Sequence, residues 1–279
     1  MLRDIPQACS PADRLVTFAK DDGLSAFAGT WRQIEVGGHT ADVYDPPKPN
    51  EHGYTVLFLH GVHVGRLIDN GPFCREFDRH GLRVIAPLSG ASWWTSKICP
   101  AFDKEISAER YLLDRVMPYL ADDWKVKPPR VALLGTSMGG QGALRLSYKY
   151  PERFPIVAAI APAIDYQNVY YEYDTIPTMY PDPEAVRQDT ATLHIHPLNW
   201  PRNMWFACDP ADERWFESSD RLKMKLYSLG IMHDCDLETT AGGHGWSYYN
   251  VMAPKAIDFI AARLEQERLR LPLAGAEPT

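Results

Sequence analysis

No apolar stretch in this chain is long enough to cross a bilayer. The longest informative run, Ile156 to Ile164, has nine residues and contains a proline, whereas a spanning helix needs about 20. The N-terminus, Met1-Leu2-Arg3-Asp4-Ile5-Pro6, lacks the apolar core of a secretion signal. Cysteine is sparse: Cys9, Cys74, Cys99, Cys208 and Cys235 are scattered, odd in number and without a Cys-x-x-Cys pair, which argues against a disulfide framework and for reduced thiols in a cytoplasm. Positive charge is also short. Lys and Arg number 29 against 36 Asp and Glu, a net charge of −7, so the basic footprint that nucleic acid requires is missing. There is no repeat, no low-complexity block and no long run of one charge sign. With 45% hydrophobic and 23% charged residues, the chain can bury a core, and disorder, collagen or coiled coil are excluded as descriptions of the whole.

What is present is an alternation of strand and helix signals. Trp31–Val36 and His39–Tyr44 flank Gly37-Gly38 and predict a hairpin, because that turn demands positive φ. Short apolar runs predict buried strands at Tyr54–Leu59, Arg83–Ala86, Arg130–Leu134, Ile156–Ile160 and Met204–Cys208, with a last strand over Asp234–Thr239. Helices are expected at Gly71–His80, Glu105–Trp124 (broken or kinked at Pro118), Met138–Tyr150, Trp215–Leu229 and Pro254–Arg268, the last with its proline in the first turn. Residues 165 to 200 are rich in Tyr and Pro and show no period. They read as an irregular, cap-like excursion over the sheet. The expectation is one α/β domain over residues 1–279, with 1–30 as an N-terminal extension and a mostly parallel central sheet covered by helices on both faces.

The strongest chemical signal is Gly135-Thr136-Ser137-Met138-Gly139, between a predicted strand and a predicted helix. In that context a Gly-x-Ser-x-Gly sequence places its serine on a sharp, strained turn with the hydroxyl thrust out at the sheet edge. Ser137 is the candidate nucleophile. A serine needs a base, and the base an orienting acid. His244, in Gly242-Gly243-His244-Gly245 after the last strand, is the candidate base. The acid is expected in Cys208-Asp209-Pro210-Ala211-Asp212-Glu213, with Asp212 preferred over Asp209, which Pro210 stiffens, and over Glu213. Backbone N–H groups of Val62, in the loop His60-Gly61-Val62-His63, and of Met138 are the candidate oxyanion donors. His60 reads as a structural hydrogen-bonding residue of that loop. His194-x-His196 has metal-ligand spacing but no third ligand, so no metal is expected. Trp93 and Trp94 form either an aromatic pocket wall or a core cap. Tyr170 is a candidate pocket residue, although packing explains the tyrosines of its segment more simply.

Beyond these residues, the chain resembles the putative-esterase (esterase D-like) branch of the α/β-hydrolase superfamily. That branch includes S-formylglutathione hydrolases, feruloyl esterase-type enzymes and mycolyl acyltransferases. The resemblance is carried by Gly135-Thr136-Ser137-Met138-Gly139-Gly140-Gln141-Gly142-Ala143-Leu144, by Tyr150-Pro151-Glu152-Arg153-Phe154, by Ala161-Pro162-Ala163 and by Gly242-Gly243-His244. It extends from about residue 31 to 265. It implies an α/β-hydrolase fold and a cofactor-free Ser-His-Asp hydrolase, with Ser137, His244 and Asp212 as triad and Val62 and Met138 as oxyanion donors. The expected activity is hydrolysis of a small-molecule ester or thioester through an acyl-enzyme. The alternatives are an acyltransferase or thioesterase using the same residues, or a non-catalytic binding protein on the scaffold. Neither nucleic acid nor membrane is expected as a partner, and homo-oligomer formation is left open.

Overall fold

The computed structural model describes residues 27–273, so Cys9 and most of the expected N-terminal extension lie outside the described residues. Among the described residues, eight strands form one sheet: β1 (Thr30–Val36), β2 (His39–Asp45), β3 (Thr55–Leu59), β4 (Arg83–Pro87), β5 (Val131–Thr136), β6 (Ile156–Ile160), β7 (Asn203–Ala207) and β8 (Asp234–Asp236). Their spatial order is β1-β2-β4-β3-β5-β6-β7-β8. β1 and β2 form an antiparallel hairpin, β2 meets β4 antiparallel, and every later pairing is parallel. Gly37 and Gly38 take φ of 55° and 84° at the hairpin turn, the twist that two-residue loops need. β3, β5, β6 and β7 are buried at every position, as strands covered on both faces should be.

The helices are α1 (Gly71–His80), α2 (Ala108–Tyr111), α3 (Met117–Asp122), α4 (Met138–Lys149), α5 (Thr175–Met179), α6 (Pro183–Arg187), α7 (Phe216–Ser228) and α8 (Trp246–Leu273). From β3 the chain steps one way through α1 to β4, and from β5 the other way through α4 to β6. Right-handed crossovers therefore put α1 and α4 on opposite faces. The point where the direction reverses lies between β3 and β5, where open α/β sheets form their ligand crevice. Among the described residues, no helix is long and apolar enough to cross a membrane.

Two expectations are corrected, and of the two alternatives at Pro118 the break is the one that does not occur. Pro118 does not break its helix: a π-helical turn, Leu112–Val116, joins α2 to α3, and Met117 N–H bonds back to Leu112 O. The widened turn absorbs the mismatch just before the residue that lacks a donor. The last helix begins at Trp246, eight residues before Pro254. Its first two turns bury Tyr248, Tyr249, Met252 and Ala253, and this packing outweighs the cost of an interior proline. The last strand is three residues, because the Asp236 carboxylate accepts from the N–H groups of Glu238 and Thr239 and turns the chain away. Residues 165–200 hold single-turn helices, α5, α6 and two 3-10 turns, too short to show a period.

This segment is fastened to α4 by buried charge. Arg145, fully buried, pairs with Glu109 and, at 2.5 Å, with Asp189. Lys149 and Tyr150 complete the ring on Glu109. Asp189 also accepts from Tyr180 at 2.6 Å and His194 at 2.8 Å. Burial opposes ionisation of Asp189, but the His194 hydrogen bond and the Arg145 charge outweigh it and hold its carboxyl well below the usual range.

Candidate active site

Ser137 stands between β5 and α4 at φ 54°, ψ −120°, a conformation that costs a non-glycine residue free energy and must be imposed by its surroundings. The backbone is held on both sides. Ser137 N–H donates to Ile160 O at 3.0 Å, and its carbonyl accepts from Gln141 and Ala163 at 3.1 and 3.0 Å. The flanking glycines are sterically required: a Cβ on Gly139 would sit 1.8 Å from Leu59 O, and one on Gly135 would sit 2.1 Å from Gly139 O. The turn also starts α4 at Met138, so the N-terminal N–H groups of a 12-residue helix face the serine.

His244 comes from the loop between β8 and α8, where Gly242 and Gly243 adopt φ of 90° and 76°. Asp209 holds that loop. Its Oδ2 accepts from Ala241 N–H at 2.6 Å and Gly243 N–H at 2.8 Å, and its Oδ1 accepts from Ala211 N–H at 2.8 Å. Burial works against ionisation of Asp209, yet these amides keep its carboxyl below the ordinary value. Asp212, after the same strand β7, reaches the imidazole instead, with Oδ2 2.7 Å from His244 Nδ1. Its Oδ1 accepts from the N–H groups of Arg214 and Trp215 at 3.2 and 3.1 Å. A carboxylate only accepts, so Nδ1 carries the proton and the Nε2 lone pair is free. Nε2 lies 2.9 Å from Ser137 Oγ. Ser137, His244 and Asp212 thus form one hydrogen-bonded chain, and Asp209 stands outside it as the clamp on the histidine loop.

Gly61 and Val62 reach the same place from the end of β3, and a Cβ on Gly61 would lie 3.4 Å from Ser137 Cβ. His60 fixes this loop. Its Nε2 accepts from Ser89 N–H at 3.0 Å, so Nδ1 is the donor to Gly61 O at 2.8 Å. Burial pushes the His60 imidazole down to about 4, which keeps it neutral and structural.

Ser137, His244, Gly61 and Val62 border a cleft of about 590 Å³ whose walls include Trp93, Tyr173, Trp215, Trp246 and Tyr249, with Arg214, Glu172 and His63. Trp93 lines the cleft, stacked on Tyr166 at 4.7 Å between ring centroids. Trp94 and Tyr170 do not, a correction to the pocket expected from sequence. Trp94 is fully buried under Gly142 and donates from its indole to His60 O at 3.1 Å. Tyr170 turns into the 165–200 segment, where its hydroxyl donates to Tyr180 O at 2.9 Å. Tyr249 was not singled out from sequence. It is buried on the first turn of α8, with its hydroxyl 2.9 Å from His244 Nε2. Its signal was its place five residues beyond His244, readable once α8 is known to begin at Trp246. Arg214, paired at 2.8 Å with Glu172, was also unforeseen.

His194 and His196 hold separate partners, Asp189 and the N–H of Leu198. Among the described residues, one group of three metal-type side chains converges, Glu76, His80 and Asp258. It lies on the surface, and Arg79 already bridges its two carboxylates.

Residues 38–252 match the family model described as Putative esterase. A diacylglycerol acyltransferase/mycolyltransferase, Ag85A of Mycobacterium gordonae, is 28% identical over 101 residues, covering 34% of this chain and 30% of that protein. The S-formylglutathione hydrolase of Bos taurus is 27% identical over 141 residues, 43% of this chain and 50% of that protein. The chain therefore spans between about a third and a half of the length of these relatives. The solved S-formylglutathione hydrolase from Agrobacterium tumefaciens superposes with a TM-score of 0.67 at 20% identity, covering 86% of this chain and 98% of that one. At that identity the likeness establishes the shared α/β-hydrolase fold.

Proposed function

Because the chain belongs to the Putative esterase family of ester-hydrolysing enzymes, we propose that it is a serine carboxylic-ester hydrolase working through an acyl-enzyme. The observation that carries this reading is the hydrogen-bonded chain Ser137–His244–Asp212 at the edge of the cleft. His244 Nε2 takes the Ser137 proton as Oγ attacks the ester carbonyl. Asp212 keeps the imidazole in the tautomer that can do so and stabilises its charged form. The N–H groups of Val62 and Met138 hold the oxyanion, with the N-terminus of α4 adding to the field. Collapse expels the alcohol, protonated by His244. Water activated at the same nitrogen then releases the acid. The aromatic walls support an ester with a sizeable apolar part.

The reading is tested by intact-mass analysis after incubation with a fluorophosphonate, with peptide mapping. A single adduct on Ser137, lost in Ser137→Ala and His244→Ala, is expected; full labelling of His244→Ala would overturn it. A second reading, acyl transfer to an alcohol from the same acyl-enzyme, is supported by the mycolyltransferase relatives. Product ratios with added acceptor alcohols separate the two, because purely hydrolytic turnover rejects transfer.

A further inference from the structure

His244 Nε2 has two hydroxyls at 2.9 Å, Ser137 Oγ and Tyr249 OH. It has one lone pair, since Nδ1–H is committed to Asp212. One oxygen more than the triad needs is therefore held at the reacting nitrogen. Tyr249 cannot drift from it: its N–H donates to Gly245 O at 2.9 Å, one residue beyond His244, and its ring lies edge-on to the imidazole at 5.6 Å. Its side chain is buried yet lines the cleft.

Once Ser137 is acylated, Oγ has no proton to offer Nε2. The deacylating nucleophile must then donate to Nε2 while its lone pair faces the ester carbon, in the space that the two oxygens flank. Resting on the acyl-enzyme reading above, we propose that Tyr249 is a specificity-determining residue that orients water for deacylation and thereby favours hydrolysis over acyl transfer. Water has two protons. One goes to Nε2 and the other is accepted by the Tyr249 oxygen, whose own O–H turns from Nε2 to Ser137 Oγ, its other hydrogen-bond partner, and this fixes the direction of the attacking lone pair. An alcohol has a single O–H, which Nε2 takes, and it has nothing to give Tyr249. The balance is simple. The water oxygen bonds to the acyl carbon as its proton passes to Nε2. The carbon–Oγ bond then breaks, Oγ recovers that proton, and the acid leaves. Tyr249 keeps its own proton throughout, consistent with burial raising its ionisation far above the ordinary range.

The test is Tyr249→Phe, which removes one oxygen and keeps the ring. With a p-nitrophenyl ester in stopped flow, the acylation burst should stay within about threefold of wild type while the deacylation rate falls about tenfold, the worth of one lost hydrogen bond in a transition state. With methanol present, the methyl ester to acid ratio should rise by a similar factor. A distorted site would slow acylation and deacylation together and leave the ratio unchanged, which overturns the proposal, as does an unchanged deacylation rate. If wild type forms no acyl adduct on Ser137 by intact mass, the acyl-enzyme reading itself fails, an outcome distinct from either result with Tyr249→Phe.

Discussion

Replacing Arg145 by Met should destabilise the protein severely, and the structure sets the scale. Arg145 is fully buried, Glu109 nearly so, and Asp189 is 13% exposed. The substitution keeps most of the side-chain volume, so the loss is electrostatic. Asp189 loses contacts at 2.5 and 3.1 Å, and Ser96 loses one at 3.2 Å. Glu109 keeps Lys149, but Asp189 is left with a neutral tyrosine and a histidine. Breaking a buried ion pair by removing one partner costs about 3–5 kcal/mol. At about 2–3 °C per kcal/mol for a chain of this size, Tm should fall by about 6–15 °C. Scanning fluorimetry at neutral pH, supported by urea unfolding, measures it. Neutralising the stranded carboxylates with Glu109→Gln and Asp189→Asn should recover at least half of the loss, since a buried ionic cluster contributes little against its neutral counterpart. A drop of less than about 2 °C in Arg145→Met, or no recovery in the triple variant, would refute the reasoning.

Other outcomes are equally specific. Ser137→Gly should be inactive yet more stable than Ser137→Ala by about 1–2 kcal/mol in urea unfolding, because glycine relieves the strained backbone and alanine retains it. Asp212→Asn should lower kcat by roughly 10⁴ with the fold intact. Asp209→Ala, by losing three amide partners of the histidine loop, should cost about 2–3 kcal/mol of stability. His60 titrates near 4 when folded against 6.5 in its ordinary state. Between those values the unfolded chain holds a proton that the native one excludes, so stability is full above pH 6.5 and declines by about 3 kcal/mol as pH falls to about 4. His60→Gln should flatten that slope in urea unfolding followed against pH.

The parts of the site legible in sequence are those held by backbone geometry. The Gly135–Gly139 stretch announces a strained turn because no Cβ fits where Leu59 and Gly139 carbonyls already stand. His244 is marked by glycines that the loop needs at positive φ. The parts that escaped depend on side chains meeting across long separations. Nothing along the chain pairs Arg145 with Glu109 and Asp189, 36 and 44 residues away. Adjacent Trp93 and Trp94 read alike, but consecutive positive φ values of 55° and 54° send one to the cleft and the other beneath Gly142. Tyr249 is hidden in the sequence because Pro254 looks like the first turn of the last helix and the buried residues before it follow a glycine-rich loop.

The ends of β3, β5, β7 and β8 each feed one corner of the site, and this has a kinetic consequence. Ser137 and His244 are 107 residues apart, and Leu59 faces Gly135 across the central parallel pair. Closing such distant pairings is entropically slow. The reacting atoms can meet only after the ends of β3, β5, β7 and β8 have come together. Refolding followed by fluorophosphonate labelling should therefore lag behind the recovery of helical signal. A fragment of the chain ending before β8 lacks His244 and should be silent toward the same probe.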